Sequence, residues 1–155
     1  MNLRLNVLQI TIRSVRARIY RADNPNPASI KVFYREDPLR LERGRFVVAS
    51  TELSHPKTQP YIHDSIVKVV HRGKQYKFRV FFKRHKSLPI NQAILQLIGA
   101  PMDGDVLVVA CGTKVGVKNF RTRLEARAAD KAVKRFAQYI APFRTRRTFP
   151  ALVYL

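Results

Sequence analysis

The sequence predicts an α+β fold: a single domain over residues 1–155, with a mostly antiparallel sheet backed by a long C-terminal helix. Three observations predict it. Apolar side chains recur at period two through much of the first half of the chain, as they do in strands. Between residues 119 and 140 the period becomes helical. The length of 155 residues is that of one domain.

The N-terminal segment is predicted to form strand. Its apolar residues share one face from Leu3 onward, shift register at Leu8, and shift again at Val15, Ala17 and Ile19. Such slips indicate one long strand with bulges, or two strands. A turn-rich loop follows at residues 22–27, and further strands are expected at residues 29–35 and 46–49.

A hairpin at residues 65–84 is the clearest local prediction. One face of it is apolar, formed by Val67, Val69, Tyr76, Phe78 and Val80. A two-residue turn at residues 72–73 or 73–74 gathers these side chains on one face, whereas a three-residue loop would set the valines opposite cations. The pattern therefore selects the two-residue loop. Lys68 then falls opposite Lys77 or Arg79.

The second half of the chain is predicted to contain two helices and a buried strand. Pro89 opens a short helix over residues 90–97, which ends at Gly99, and the apolar run at residues 106–110 is a buried strand. The long helix covers residues 119–140, with Asn119 as its N-cap. Its core-facing stripe consists of Ala128, Ala129, Ala132, Val133, Phe136 and Ile140.

The charge of the chain indicates a polyanionic partner. Thirty Lys and Arg against ten Asp and Glu give a formal net charge of +20 at pH 7. Self-repulsion of that size opposes compaction, and an anionic polymer offsets it. We therefore expect nucleic acid, RNA or DNA, as the partner.

The expected location is intracellular. Cys111 is the only cysteine, which excludes an intrachain disulfide and fits a reducing compartment. No apolar run approaches the roughly 20 residues that a membrane helix needs, so no membrane association is expected. The compartment is cytoplasmic or nuclear. Mitochondrial targeting stays open, because residues 1–22 are rich in arginine and contain no acid.

The second face of the hairpin is the first candidate nucleic-acid site. It carries Lys68, Lys77, Arg79, Phe81 and Lys83. An open face with an aromatic ring among cations suits phosphate contacts combined with base stacking. The alternative is a solvated basic face in which Ile66, Val70 and Phe81 pack beneath another element.

Two further basic segments are candidates. Arg123, Arg127 and Lys131 recur at four-residue spacing on the long helix, opposite its apolar stripe, and are expected to contact phosphates. Residues 112–119 follow a strand and precede a helix, where backbone N–H groups can hold an anion. The candidate anion-binding residues there are Gly112, Lys114, Gly116 and Lys118. A hairpin turn explains the same segment equally well.

No motif indicates catalysis, a metal or a cofactor. The four histidines have no helical metal spacing, and one cysteine excludes a cysteine-rich zinc site. A nuclease centre formed by Glu52, His63 and Asp64 is the one enzyme alternative. We expect a non-catalytic protein without cofactor or metal.

Residues 88–92, 104–109 and 117–136 resemble uncharacterised proteins predicted from mushroom-forming fungi. The segments that carry the resemblance are Leu-Pro-Ile-Asn-Gln, Gly-Asp-Val-Leu-Val-Val and the basic helix. The resemblance covers roughly the last half of the chain and implies no activity.

The function expected from the sequence is therefore non-catalytic binding of RNA or DNA, chiefly through phosphates. Two alternatives belong to other classes. In one, the chain is a structural subunit of a ribonucleoprotein or viral-type particle, and its apolar C-terminus at residues 149–155 packs on a partner or on another copy. In the other, it is a module that binds acidic proteins.

Overall fold

A computed structural model of the chain describes residues 11–36, 46–48, 63–83, 88–112 and 116–140. The elements in these residues are β1 Thr11–Tyr20, β2 Ala28–Glu36, β3 Phe46–Val48, β4 His63–His71, β5 Lys74–Phe82, α1 Gln92–Ile98, β6 Val106–Cys111, β7 Val117–Lys118 and α2 Arg123–Ile140. The predicted α+β class is confirmed. The part of the predicted N-terminal strand that covers residues 3–10 lies outside the described residues. The apolar C-terminus at residues 149–155 lies outside them as well.

The described strands form one antiparallel sheet in the order β3-β2-β1-β6-β5-β4. The short strand β7 pairs with β6 beyond the point where β1 leaves it. The middle strand β6 has neighbours on both sides and is buried at every position from Val106 to Ala110. Its side chains enter the buried clusters on both faces of the sheet, which explains why its predicted apolar run is continuous.

The sheet is buried on both faces around β5 and β6. The face that we call the helix face carries Tyr20, Phe78 and Val108, which share a core with the apolar stripe of α2. The opposite face has its own buried cluster, which includes Val15, Ala17, Ile19, Val32, Phe81 and Leu107. The register predicted for Val15, Ala17 and Ile19 is thus confirmed, since all three lie on one buried face.

The β4–β5 hairpin has the predicted register. Val67 pairs with Phe78 and Lys68 with Lys77, around a two-residue turn at Arg72 and Gly73. The backbone φ angles of these turn residues are 50° and 76°. Two positive φ angles in succession give the turn whose twist matches that of the paired strands.

The helix α2 has the predicted buried stripe but starts later than predicted. All six stripe residues are buried, and Ala137 joins them. The predicted N-cap, Asn119, is wrong: α2 begins at Arg123, and the hydroxyl oxygen of Thr122 accepts a hydrogen bond from the backbone N–H of Glu125 at 3.1 Å. The side chain of Asn119 instead accepts the backbone N–H of Arg16 at 2.7 Å.

The short helix α1 starts two residues later than predicted, with Asn91 as its N-cap, and ends at Gly99 as expected. Asn91 is fully buried. Its Nδ2 donates to the backbone carbonyls of Tyr20 and Gly104, both at 2.7 Å, while its Oδ1 accepts the N–H of Ile94 at 2.9 Å. One side chain thereby joins the end of β1, the start of α1 and the turn before β6.

Candidate nucleic-acid interface

The hairpin face predicted to be open is largely closed. Phe81 is 5% exposed, Arg79 8% and Lys83 6%, so the prediction that these three form an exposed surface is wrong. These side chains lie on the opposite face of the sheet, which carries a buried cluster of its own. Phe81 pairs with Leu107 and belongs to the buried cluster of the opposite face, as the alternative interpretation expects for it.

The remaining hairpin cations are more accessible. Lys68 is exposed and Lys77 is half-buried. Arg79 forms an ion pair with Asp64, at 3.1 Å between Nη1 and Oδ2. Contact of the hairpin with nucleic acid therefore stays a prediction for Lys68 and Lys77, on a much smaller surface than expected.

The cations of α2 are exposed, and two of them contact the backbone of β4. Lys131 donates from Nζ to the carbonyl of Val70 at 2.6 Å, and Arg135 donates from Nη1 to the carbonyl of Lys68 at 3.3 Å. Both carbonyls belong to β4, the last strand of the described sheet on that side. Lys131 thus covers a strand edge, whereas Arg123 and Arg127 make no hydrogen bond to a strand edge among the described residues.

The described residues at the two ends of the segment proposed as an anion-binding loop pair with each other, as the hairpin alternative expects. The backbone N–H of Gly112 donates to the carbonyl of Gly116 at 3.1 Å, and β7 pairs with β6 at Lys118. Lys114 lies outside the described residues. Because α2 begins only after Thr122, the expected helix N-terminus is not at this loop.

A basic groove lies between the β1–β2 strands and the segment that leads into α2. It consists of two adjoining cavities of about 420 Å³ and 240 Å³, which share Phe120 and Arg121. Its cationic lining residues are Arg16, Arg18, Lys31, Arg121 and Arg123. No carboxylate lines either cavity in the described part of the chain.

The groove exists because the backbone of β1 binds the segment before α2. At Arg16 the backbone N–H donates to Oδ1 of Asn119, and the carbonyl accepts the N–H of Phe120 at 3.1 Å. The side chain of Arg16 lies on the helix face of β1, opposite Lys31 of β2. The floor of the groove is therefore the part of the helix face beside the start of α2.

One lining cation is neutralised and four are not. Arg18 forms an ion pair with Asp130, at 3.0 Å from Nε to Oδ1, and the hydroxyl of Tyr20 donates to the same carboxylate. This network fixes α2 to β1. Arg16, Lys31, Arg121 and Arg123 have no ion pair with a described carboxylate. Four positive charges thus face one groove without counterions from the described chain.

The same network perturbs Tyr20. Burial raises the pKa of its phenol well above the ordinary value, and the neighbouring carboxylate of Asp130 raises it further. Burial alone would lower the pKa of Arg18, but Tyr20 and Asp130 outweigh it, so that the pKa of Arg18 is raised. Arg18 therefore stays positively charged at every ordinary pH, and its contacts with Tyr20 and Asp130 are structural.

Two aromatic rings border the groove. Phe120 is half-buried, and its ring stacks on Phe78 with 5.7 Å between centroids. Phe33 lies on the helix face of β2, directly across from Ser14 of the groove lining, and is 51% exposed. Nζ of Lys31 lies 5.6 Å from its ring centroid.

None of the site residues predicted from the sequence is Arg16, Lys31, Phe33 or Phe120. A signal was present, since Arg16 alternates with the buried Val15 and Ala17, and Lys31 and Phe33 flank the buried Val32. This alternation places a basic, partly aromatic face on two strands. It does not reveal which element the face opens toward.

Among the described residues, neither helix combines the length and apolar character needed to cross a bilayer. The same residues contain no cluster of three or more His, Cys, Asp or Glu side chains suited to a metal ion. No protein-family model, curated protein or solved structure matches this chain. The resemblance to fungal proteins therefore stays a prediction.

Proposed function

We propose that this protein binds nucleic acid without catalysis and that phosphates of the bound strand lie in the basic groove. The observation that supports this most is the absence of any lining carboxylate beside four cations without an ion pair in the described chain, Arg16, Lys31, Arg121 and Arg123. Arginine suits this role because its planar guanidinium donates two parallel hydrogen bonds to phosphate oxygens. Arg127 follows Arg123 by one helical turn and extends the rim.

The charge pattern sets the expected salt dependence. Each phosphate that a cation neutralises releases condensed counterions, which contributes about 0.7–0.9 to the slope of log affinity against log salt. Four groove cations therefore correspond to a slope of about −3. Lys131 is not part of this set, because its ammonium binds a carbonyl at the β4 edge.

The experiment compares two triple variants that remove the same charge. The groove variant is Arg16→Gln, Arg121→Gln and Arg123→Gln. The control variant changes exposed cations at the hairpin and thereby also tests the remaining prediction for Lys68: Lys68→Gln, Arg72→Asn and Lys74→Gln. Asparagine is used at residue 72 because the turn requires a positive φ there, which asparagine tolerates.

Affinity for RNA and DNA oligonucleotides is measured from about 0.05 to 0.2 M salt. We expect the groove variant to bind more weakly and to lose about 2–3 units of slope, while the control variant changes little. If the control variant loses affinity and salt slope while the groove variant changes little, the phosphate contacts lie at the hairpin instead. A wild-type protein that binds no oligonucleotide at the lowest salt would contradict the proposed function itself.

Acidic proteins, the alternative partner named above, would engage the same cations. Nucleic acid is favoured because half-exposed aromatic rings border these cations, and bases offer flat faces to such rings whereas acidic side chains do not. A saturable complex with a polyglutamate peptide that is tighter than any oligonucleotide complex at equal salt would favour the alternative.

A further inference from the structure

We infer that the basic groove takes single-stranded nucleic acid and that one base stacks on Phe33. This inference rests on the proposed function and adds to it the form of the nucleic acid and the ring that holds a base. It starts from the surroundings of Phe33, which none of the nucleic-acid contacts predicted from the sequence include.

Phe33 is a half-exposed apolar side chain that has polar neighbours among the residues whose side chains are described. It is 51% exposed, although its chain neighbour Val32 is 1% exposed on the other face of the strand. Its cross-strand partner is Ser14, and Lys31 lies two residues away on the same face. An apolar protein partner requires a continuous apolar patch, and these neighbours provide none.

A flat ring beside cations matches the chemistry of a nucleotide. Nζ of Lys31 lies 5.6 Å from the Phe33 centroid, and Arg16 is paired with Lys31 across the strands. A base stacked on Phe33 would therefore place its phosphate within reach of Lys31 and Arg16. Stacking tolerates any base, because every base has a π-face.

A duplex cannot use this arrangement. Its bases already stack on one another, and both backbones stand between them and a surface side chain. In a single strand the bases are free to rotate onto an aromatic ring. The second ring, Phe120, lines both cavities and is held by Phe78, so it forms a fixed wall of the groove.

The test uses three substitutions at one position. Phe33→Ala removes the ring, Phe33→Leu keeps apolar bulk without a π-face, and Phe33→Tyr keeps the ring. Because the side chain is half exposed, all three variants are expected to fold, which thermal unfolding checks. The probes are a short oligonucleotide that contains 2-aminopurine, whose fluorescence falls on stacking, and the corresponding duplex.

We expect the wild type and Phe33→Tyr to bind the single strand more tightly than the duplex and to quench the probe. Phe33→Ala and Phe33→Leu should bind the single strand about 5- to 150-fold more weakly, the change that corresponds to about 1–3 kcal/mol of stacking. Their salt slopes should equal that of the wild type, since no phosphate contact is lost.

The inference is overturned if the wild type binds duplex and single strand equally tightly. It is also overturned if Phe33→Leu binds the single strand and quenches the probe as fully as the wild type does, or if Phe33→Ala loses the same affinity for duplex as for single strand. Each of these leaves the proposed function intact if the groove variant still reduces the salt slope. If the wild type binds neither form, the proposed function and this inference fail together.

Discussion

Replacing Asn91 by alanine should destabilise the fold more than any other single truncation of a polar side chain discussed above. The residue is fully buried, and its amide makes three hydrogen bonds to backbone groups. Those groups belong to the end of β1, the first turn of α1 and the turn before β6. No part of this side chain reaches the basic groove lining.

The magnitude follows from the groups left behind. Alanine leaves the carbonyls of Tyr20 and Gly104 and the N–H of Ile94 without their side-chain partner. An unsatisfied buried group costs about 1–3 kcal/mol, and partial relaxation keeps the total for three below the simple sum. We expect a loss of about 3–6 kcal/mol, a large share of the roughly 5–15 kcal/mol that stabilises a typical domain.

The assay is equilibrium unfolding in urea, followed by circular dichroism. Asn24→Ala serves as the matched control, because the Asn24 side chain accepts one hydrogen bond from Asn26 at an exposed turn. That variant should lose no more than about 1 kcal/mol. The reasoning is refuted if Asn91→Ala unfolds at the same urea concentration as Asn24→Ala.

Further predictions concern a buried phenol and two glycines. Because folding raises the pKa of Tyr20, its contribution to stability is complete below the unfolded pKa of about 10 and is lost as pH rises through the folded pKa. Wild type should thus lose more stability above about pH 10 than Tyr20→Phe, and parallel urea midpoints would contradict this. Gly104→Ala should destabilise more than Gly99→Ala by the same assay. Both positions have positive φ, which costs alanine about 1–2 kcal/mol, but only at Gly104 would the new Cβ meet another side chain, at 2.9 Å from Cδ1 of Leu88. Equal losses of stability in Gly104→Ala and Gly99→Ala would contradict this expectation.

The local parts of the fold could be predicted because the sequence determines them over short distances. The register of the β4–β5 hairpin follows from Val67 and Val69 together with a two-residue turn. The stripe of α2 follows from its period. The start of α2 was readable as well, since Thr122 stands three residues before Glu125, the spacing of a capping box, whereas Asn119 has no such partner.

The burial of the hairpin's basic face could not be obtained from alternation alone. Whether Arg79 and Lys83 face water depends on whether their face of the sheet is covered, and the buried cluster there combines residues of β1, β2, β5 and β6 that lie far apart along the chain. One warning was present, because Phe81 lies between Val80 and Phe82, and three apolar residues in succession are typical of a strand buried on both faces. Single cations within such an apolar run do not show that their face of the strand is open to water.

The candidate groove was missed for a similar reason. Its cations come from β1, β2, the segment before α2 and the first residue of α2, and they meet only because the backbone of Arg16 binds Asn119 and Phe120. These contacts cross more than a hundred residues of sequence. Of the site residues predicted from the sequence, Arg123 lines the groove and Arg127 follows it by one turn.

The net charge of +20 has a place in this account. Among the described carboxylates, Asp130 is bound to Arg18, Asp64 to Arg79, and Asp105 to the backbone N–H of Ala22. These acids thus serve the fold, while four of the five cations that line the groove have no ion pair among the described residues. In the proposed function, phosphates in the groove would relieve the repulsion among those cations and so couple binding to a gain in stability.

The most direct test of the central claim is a ¹⁵N NMR titration with a short single-stranded oligonucleotide at low salt. The account predicts that the shifted amides lie in residues 14–18, 29–33 and 119–123, on the three segments that surround the groove. Shifts gathered on residues 68–75 at the hairpin, or an unchanged spectrum, would contradict it.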